Sequence, residues 1–363
     1  MKFKISILDR YIIKKFISTY FMALLFIIVI VIIFDISEKI DDFVDKEAPL
    51  QAIVLNYYGN FIPFFMNMFS PMFVFITVIF FTSKLAANSE IVAILSGGIS
   101  FKRLLYPYFI ASLFIACFSL ALNLFIIPDA NKGRHAFEEQ YMKGGKFYNN
   151  RRNTHYQIGP KEYAYVESFS TWNNTAYRFT LETIDKNELI SKLSAESATW
   201  DDKRECWKLH NYFIRDFKNG IETVKHGEAM DTVTKITCED FHRSSKTVEA
   251  LDYKELNNLI DIQRMRGDRM VKYALIEKHQ RLSMPFSAFI LTLIGVSLSS
   301  KKRRGGIGLN LGVGIGLSFS YILFMRFSKM FVMTGTLPPG LSIWLPNIIF
   351  AIIAIFLYRI APK

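Results

Sequence analysis

The sequence predicts a polytopic α-helical membrane protein of six transmembrane helices, with an all-β domain inserted between the third and fourth. Three observations carry that expectation. Apolar residues gather into runs at 16–34, 61–82, 105–128, 282–299, 307–325 and 341–358, each close to the ~20 residues that cross a bilayer. One long polar stretch separates the first three runs from the last three, and basic residues mark every second connection. The chain is 51% hydrophobic and holds 34 Phe. The gathering of these residues, more than their share, sets the chain apart from a soluble domain.

The first run, Phe16 to Phe34, is longer than the apolar core of a secretory signal, and no small-x-small cleavage site follows before Asp35. It reads as an uncleaved first helix. Lys2, Lys4, Arg10, Lys14 and Lys15 precede it, whereas residues 35–47 are mainly acidic. Lys84, Lys102 and Arg103 lie after the second span, KKRRGG (301–306) after the fourth, and Arg359 and Lys363 after the sixth. This alternation predicts cytoplasmic termini, with the large insert on the outer side of the membrane, which in a Gram-negative cell is the periplasm. A net charge of +12 placed in this way does not describe the continuous soluble face that nucleic acid requires.

The expected organisation is 1–128 (spans one to three, with a cytoplasmic segment 84–100), 129–268 (the outer domain and flanking helical connections) and 269–363 (spans four to six). Within the insert, Tyr163 with Tyr165, then Tyr177, Phe179 and Leu181, then Trp207, Leu209, Phe213 and Phe217, alternate with polar neighbours as strand residues do. Turn signals bound these runs at Asn173-Asn174, Asp185-Lys186-Asn187, Asp201-Asp202 and Asn219-Gly220. An antiparallel sandwich or open barrel is expected. Residues 131–143 read as an outward continuation of the third span, and 253–266 as a helix returning to the membrane. Cys206 and Cys238 fall in the outer region, where a disulfide between them is one expectation. Cys117 reads as a small apolar residue in the third span.

No catalytic constellation is legible. There is no GxxxxGK[ST], no HExxH, no Cys/His pair at zinc spacing and no GxSxG, so neither a metal site nor a catalytic residue is assigned. Glycines at 305–316 superficially resemble a nucleotide loop, but they run into a span. Gly308, Gly312 and Gly316 instead share a helix face suited to close approach by another helix.

Residues 88–105, NSEIVAILSGGISFKRLL, are too polar to span the membrane yet carry helical periodicity at Ile91, Ile94 and Leu95. Ser89 is placed to cap a short helix, with Glu90 in its first turn and Gly97-Gly98 breaking it before Arg103. Such a helix either rests in the lipid interface or fills a partner's groove. Its polar face of Asn88, Ser89 and Glu90 lacks the lysines usual for lipid, and a chain without a nucleotide site must receive force from outside.

Four stretches in register resemble the LptF/LptG permeases of lipopolysaccharide export: LDRYIIKKF (8–16), SEIVAILSGGIS (89–100), HQRLSMPFSAFILTLIGVSLSS (279–300) and KKRRGGIGLNLG (301–312). The start looks more like the LptG side of the pair. The resemblance implies a β-jellyroll outer domain and a non-catalytic transport subunit that pairs with a second permease. A cytoplasmic ATPase dimer would hold ATP and Mg, and lipopolysaccharide would pass to a periplasmic jellyroll bridge protein. It implies that Ser89, Glu90, Ile91, Ile94, Leu95, Gly97, Gly98 and Arg103 form the coupling helix and its elbow, with Glu90 at the acidic position. One departure is DISEKIDDFVDKEA (35–48), which is acidic where family members place basic residues that meet lipid A phosphates. The candidates left for that role are Lys39, Lys46, Arg134, Arg326 and Lys329, unless divalent cations substitute or the lipid carries fewer phosphates. Lys39 and Lys46 also have the simpler reading of pairing with neighbouring acids. Two other functions compete: export of a different lipid or lipoprotein, and a membrane-anchored sensor or scaffold.

Overall fold

A computed structural model describes residues 6–142, 152–186, 188–218, 220–242, 245–300 and 306–361. The basic loop Lys301–Arg304 and the turn residues Asn187 and Asn219 lie outside these. The chain divides into two compact units: Met1–Lys143 with Ala250–Tyr253 and Leu275–Lys363, and Gly144–Glu249 with Lys254–Ala274.

The first unit contains six helices long and apolar enough to cross a membrane: α1 (Ile7–Asp45), α2 (Leu50–Ala87), α4 (Phe101–Tyr141), α6 (Val271–Ser299), α7 (Gly306–Thr334) and α8 (Pro339–Ile360). Between α2 and α4 lies a seven-residue helix, α3 (Glu90–Ser96). Each expected span falls inside one of the long helices, and α4 continues to Tyr141 as 131–143 suggested. Spanning helices satisfy every backbone group internally, and they tolerate Pro63, Pro71, Pro107, Pro285 and Pro346 within them. Each of α2 and α4 contains one wide π-type turn, at Ile53–Tyr58 and Leu122–Ile126.

Packing within this unit is set by a four-residue repeat on α1. Ile12, Phe16, Tyr20 and Leu24 are all buried, against Val74 and Val78 of α2 and Leu104, Tyr108 and Ile115 of α4. Buried hydrogen bonds tie the helices at fixed depths. Tyr20 Oη and Ser70 Oγ are 2.6 Å apart, Thr82 donates to Tyr108, and Asn67 bridges Ser119 and Asn123. Further along, Asn310 donates to Ser83, and Tyr321 donates to Asn347, which in turn donates to the Ser283 carbonyl. Polar contacts of this kind supply specificity where lipid removes the hydrophobic difference between helix and surroundings.

Close approach is made by glycines other than those the spacing suggested. A Cβ on Gly314 would meet Ile79 at 2.3 Å, and one on Gly295 would meet Val78 at 2.8 Å, so α7 and α6 both press against α2 there. A Cβ added at Gly308, Gly312 or Gly316 would meet nothing within 4 Å beyond its own stretch of helix among the described residues. Their helix face is open among the described residues, so the helix expected to approach it is not one of the described spans.

The second unit is a six-stranded antiparallel meander in sequential order, β1 (Arg152–Gly159), β2 (Glu162–Ser170), β3 (Thr175–Asp185), β4 (Glu188–Asp201), β5 (Cys206–Lys218) and β6 (Ile221–Thr232). The helix α5 (Tyr253–Met265) matches the segment read as returning to the membrane. The core centres on Trp207, fully buried, whose indole Nε1–H donates to the Ile236 carbonyl at 2.9 Å. Trp200, Phe179 and Phe241 surround its ring, with centroids 5.1, 5.6 and 5.9 Å away.

Sequence alternation fails along one line across this sheet. Ala176 and Phe179 both face the core, as do Ala198 and Ala195, and Leu209 and Tyr212. Between the members of each pair, strand register skips Arg178, Glu196 and Asn211. Arg178 and Asn211 adopt left-handed φ of +50° and +49°; the pairing keeps one register on either side of them, so each strand kinks without gaining a residue and the two faces exchange beyond the kink. Consequently Tyr177 and Phe213, expected inward, are exposed, and Tyr212 packs inward beside Gly227, which has no side chain to obstruct it. The residues turned out join across strands: Arg178 pairs with Glu167 and Asn211 donates to Glu196.

Cys206 and Cys238 are both buried and both free, correcting the disulfide expectation. Burial first, then the nearby charges of Asp202 and Glu239, push the Cys238 thiol up to about 11. It is accordingly protonated and unreactive at neutral pH. In the folded chain at pH 8, iodoacetamide should leave Cys238 unmodified and label it after denaturation, read by peptide mass. Trp207→Ala should destabilise the β domain by ~3–5 kcal/mol, seen as a lowered unfolding midpoint in detergent.

Candidate functional site

The segment 88–105 folds as its periodicity suggests, but its parts do different work from those expected. Ser89 occupies the N-cap position of α3 with φ +62°, and its side chain makes no capping bond. A left-handed residue there turns the chain sharply out of α2, whose last turn accepts the Ser89 backbone N–H at Ala86. Asn88 Nδ2 donates to Glu90 Oε1 at 3.1 Å instead, so Glu90 is anchored from outside the helix and remains half-buried.

The apolar stripe turns inward. Ile91 is 1% exposed and belongs to the core shared by α1, α2 and α4, with Ile94 and Leu95 packed partly against it. Filling a partner's groove is therefore closed to Ile91, because the chain's own helices already cover it. Exposed on the opposite side are Val92, at 52%, with Ala93 and Ser96.

Gly97 ends α3 with its N–H on Ala93 O, and Gly98 follows at φ +86°. That conformation suits glycine alone. Ser100 then caps α4, its Oγ accepting the Arg103 backbone N–H at 3.3 Å.

Arg103 directs its charged end to an acid of its own chain. Its Nη1 and Nη2 donate to Asp9 Oδ1 and Oδ2 at 2.7 and 2.6 Å, a bidentate pair joining α4 to the start of α1. Asp9 is 1% exposed; the Arg103 side chain retains 39% of its surface, with its guanidinium 5.1 Å from the Tyr106 ring. The Ser6 backbone N–H donates to Asp9 Oδ2 at 2.8 Å while the Asp9 N–H donates to Ser6 Oγ, closing a capping box. Sequence reasoning did not single out Asp9. Two signals could have found it. Asp9 stands three residues after Ser6, as a capping box requires. Arg103 lies in the first turn of a helix, where the dipole disfavours a cation and an acidic partner from elsewhere is needed.

The five candidate substrate residues have different surroundings. Lys39 donates to Asp35 at 2.6 Å and to Tyr57 Oη, and sits 4.9 Å over the Tyr57 ring. Tyr58 Oη completes the cluster on Asp35 at 3.1 Å. The simpler reading thus holds for Lys39. Lys46 is exposed at the end of α1 without an ion pair among the described residues. Arg134 is buried, 3.4 Å from Glu138 and stacked 4.7 Å over Phe64. On α7, Arg326 is exposed and Lys329 half-buried.

A family model for lipopolysaccharide export system permeases LptF/LptG matches residues 10–360. The chain belongs to that family. No curated protein matched it. As an LptF/LptG-family permease it is an integral inner-membrane protein, and its six spans and inserted β domain of periplasmic type are the family's arrangement. Within that frame, 88–103 is the best-built feature of the first unit: a short helix fixed at both ends by left-handed residues and backed by the core. Ile91→Ala should cost ~2–5 kcal/mol, whereas Val92→Ala should leave the melting temperature of the purified chain unchanged. Gly98→Ala, which meets no atom and suffers only from φ, should cost ~1 kcal/mol.

Proposed function

We propose that this chain is the non-catalytic permease subunit of an ABC transporter that takes lipopolysaccharide out of the inner membrane. Its termini and α3 face the cytoplasm, and its β domain lies in the periplasm, where it passes the lipid to a jellyroll bridge. A separate ATPase dimer binds ATP and Mg and supplies the force. The observation that carries this reading is α3 itself. A seven-residue helix held by Ile91 and ended by Gly98 presents Val92, Ala93 and Ser96 outward, with Glu90 at the family's acidic position. The basic connections support the orientation.

A second permease of the same family is the partner within the membrane. Two helices offer it surface. Over its most apolar stretch α1 is only 17% buried, against 67% for α6, and Leu25, Phe26, Val29, Ile30, Ile33 and Phe34 stand exposed. On α7 the open face holds Gly308, Gly312 and Gly316 beside exposed Leu309 and Val313. A small-residue face lets two backbones approach closely in lipid.

The acidic end of α1 favours a lipid with a less phosphorylated head group than other members carry. Lys39 and Arg134 are already engaged within the chain, leaving Lys46 and Arg326 as the exposed cations among the candidates.

Val92→Arg and Glu90→Lys should each abolish co-purification of the ATPase while membrane insertion and melting temperature stay normal. Retention of the ATPase by both variants would reject the proposal. Gly312→Leu should fold yet fail to pull down the second permease, whereas Gly314→Leu, which drives a side chain into Ile79, should reduce the amount of folded chain itself.

A further inference from the structure

We infer that Asp9 and Arg103 form a clamp that transmits the movement of α3 into α1, and that Arg103 is a positioning residue rather than a contact for the ATPase. The inference rests on the coupling role proposed above for α3. Three features of the geometry support it.

The pair is placed where the motion must pass. Arg103 lies seven residues beyond Ser96, across an elbow whose φ values are fixed at Gly98 and capped at Ser100. Its two bonds end on a carboxylate in the first turn of α1. A bidentate pair resists rotation as well as separation, which a single-point contact does not.

The receiving helix is a continuous rod. Among the described residues α1 runs unbroken for 39 residues, about 58 Å at ~1.5 Å per residue, with no proline or wide turn inside it. Its near half is packed through Ile12, Phe16, Tyr20 and Leu24, its middle exposes Phe26, Val29, Ile30 and Ile33, and its far end is seated by Phe43 against Tyr57 and Phe137. A displacement imposed at Asp9 is therefore carried along the rod to the Phe43 contacts with the wide turn of α2. Lys39, Asp35, Tyr57 and Tyr58 gather near that far end.

The capping box makes Asp9 a rigid target. Ser6 holds Oδ2 from the backbone side while Arg103 holds both oxygens from α4, so the carboxylate cannot rotate away. An arginine whose task was to reach a separate protein would not direct both terminal nitrogens to a buried acid of its own chain.

The test uses the full permease pair with its ATPase dimer in proteoliposomes loaded with lipopolysaccharide. Asp9→Asn and Arg103→Gln should each assemble with the ATPase at wild-type yield and keep ATP hydrolysis within about twofold. Lipopolysaccharide released per ATP should fall at least tenfold. The reversed pair, Asp9→Arg with Arg103→Asp, should recover a third or more of the coupling. Should the single variants fail to accumulate, Arg103→Lys takes their place, keeping the charge but losing one bond, with an expected threefold drop in release per ATP. Unchanged release per ATP in the variants would overturn the clamp. Loss of ATPase binding on changing Arg103 alone, without recovery in the reversed pair, would overturn it too and make Arg103 a docking contact. Absence of the ATPase from the wild-type preparation would instead count against the coupling role of α3 itself.

Discussion

A carboxylate taken out of water loses several kcal/mol of hydration, which only close pairing offsets. Asp9 is such a group, and its partner Arg103 sits almost a hundred residues away in sequence. Satisfying this one acid brings the start of the first spanning helix to the start of the third. It also sets where the connection from the second must arrive. Phe101 and Leu104 then fall into the core beside Ile12 and Phe16, and Ile91 fills the space above them. The short helix α3 has its position because the two ends it joins are already fixed.

Hydrophobic patterning made the membrane fold legible because bilayer thickness imposes a length on each apolar run, and that length can be counted. Side-chain orientation was harder. On α7 the residues at i, i+4 and i+8 from Gly308 look like a packing face, yet Gly314 on the opposite face is the one pressed against Ile79. Spacing identifies a face but not what it meets. In α3 the same ambiguity ran the other way. Ile91, Ile94 and Leu95 were correctly grouped, but an inward stripe and an outward one have the same period, and only burial distinguishes them.

The β domain shows a different limit. Alternation at Trp207 and Leu209 points to the core correctly, then fails at Phe213 because the left-handed backbone at Asn211 kinks the strand and exchanges the faces without a change of register. No local composition announces this, since a left-handed Asn or Arg looks like any polar residue in a strand. The kinks at Arg178 and Asn211 sit on β3 and β5, on either side of Glu196 in β4, to which Asn211 donates. Their logic is therefore collective. The electrostatic link between Asp9 and Arg103 was hidden for a similar reason: each residue looked like one more charge in a membrane-flanking segment.

Seven residues are far too few for a helix to persist alone in water, where ~12–15 are needed. Helix α3 is further burdened by a left-handed serine at its entry, without a side-chain cap. Its shape is borrowed from the helices beneath it. A free peptide copied from 84–103 would lose the elbow, the buried isoleucine and the bond to Asp9 together, and would compete poorly for whatever surface α3 recognises. A useful mimic would need the two turns built in, by a cyclic backbone or a D-residue at Ser89 and Gly98, so that Val92 and Glu90 are displayed at the angle the membrane domain gives them.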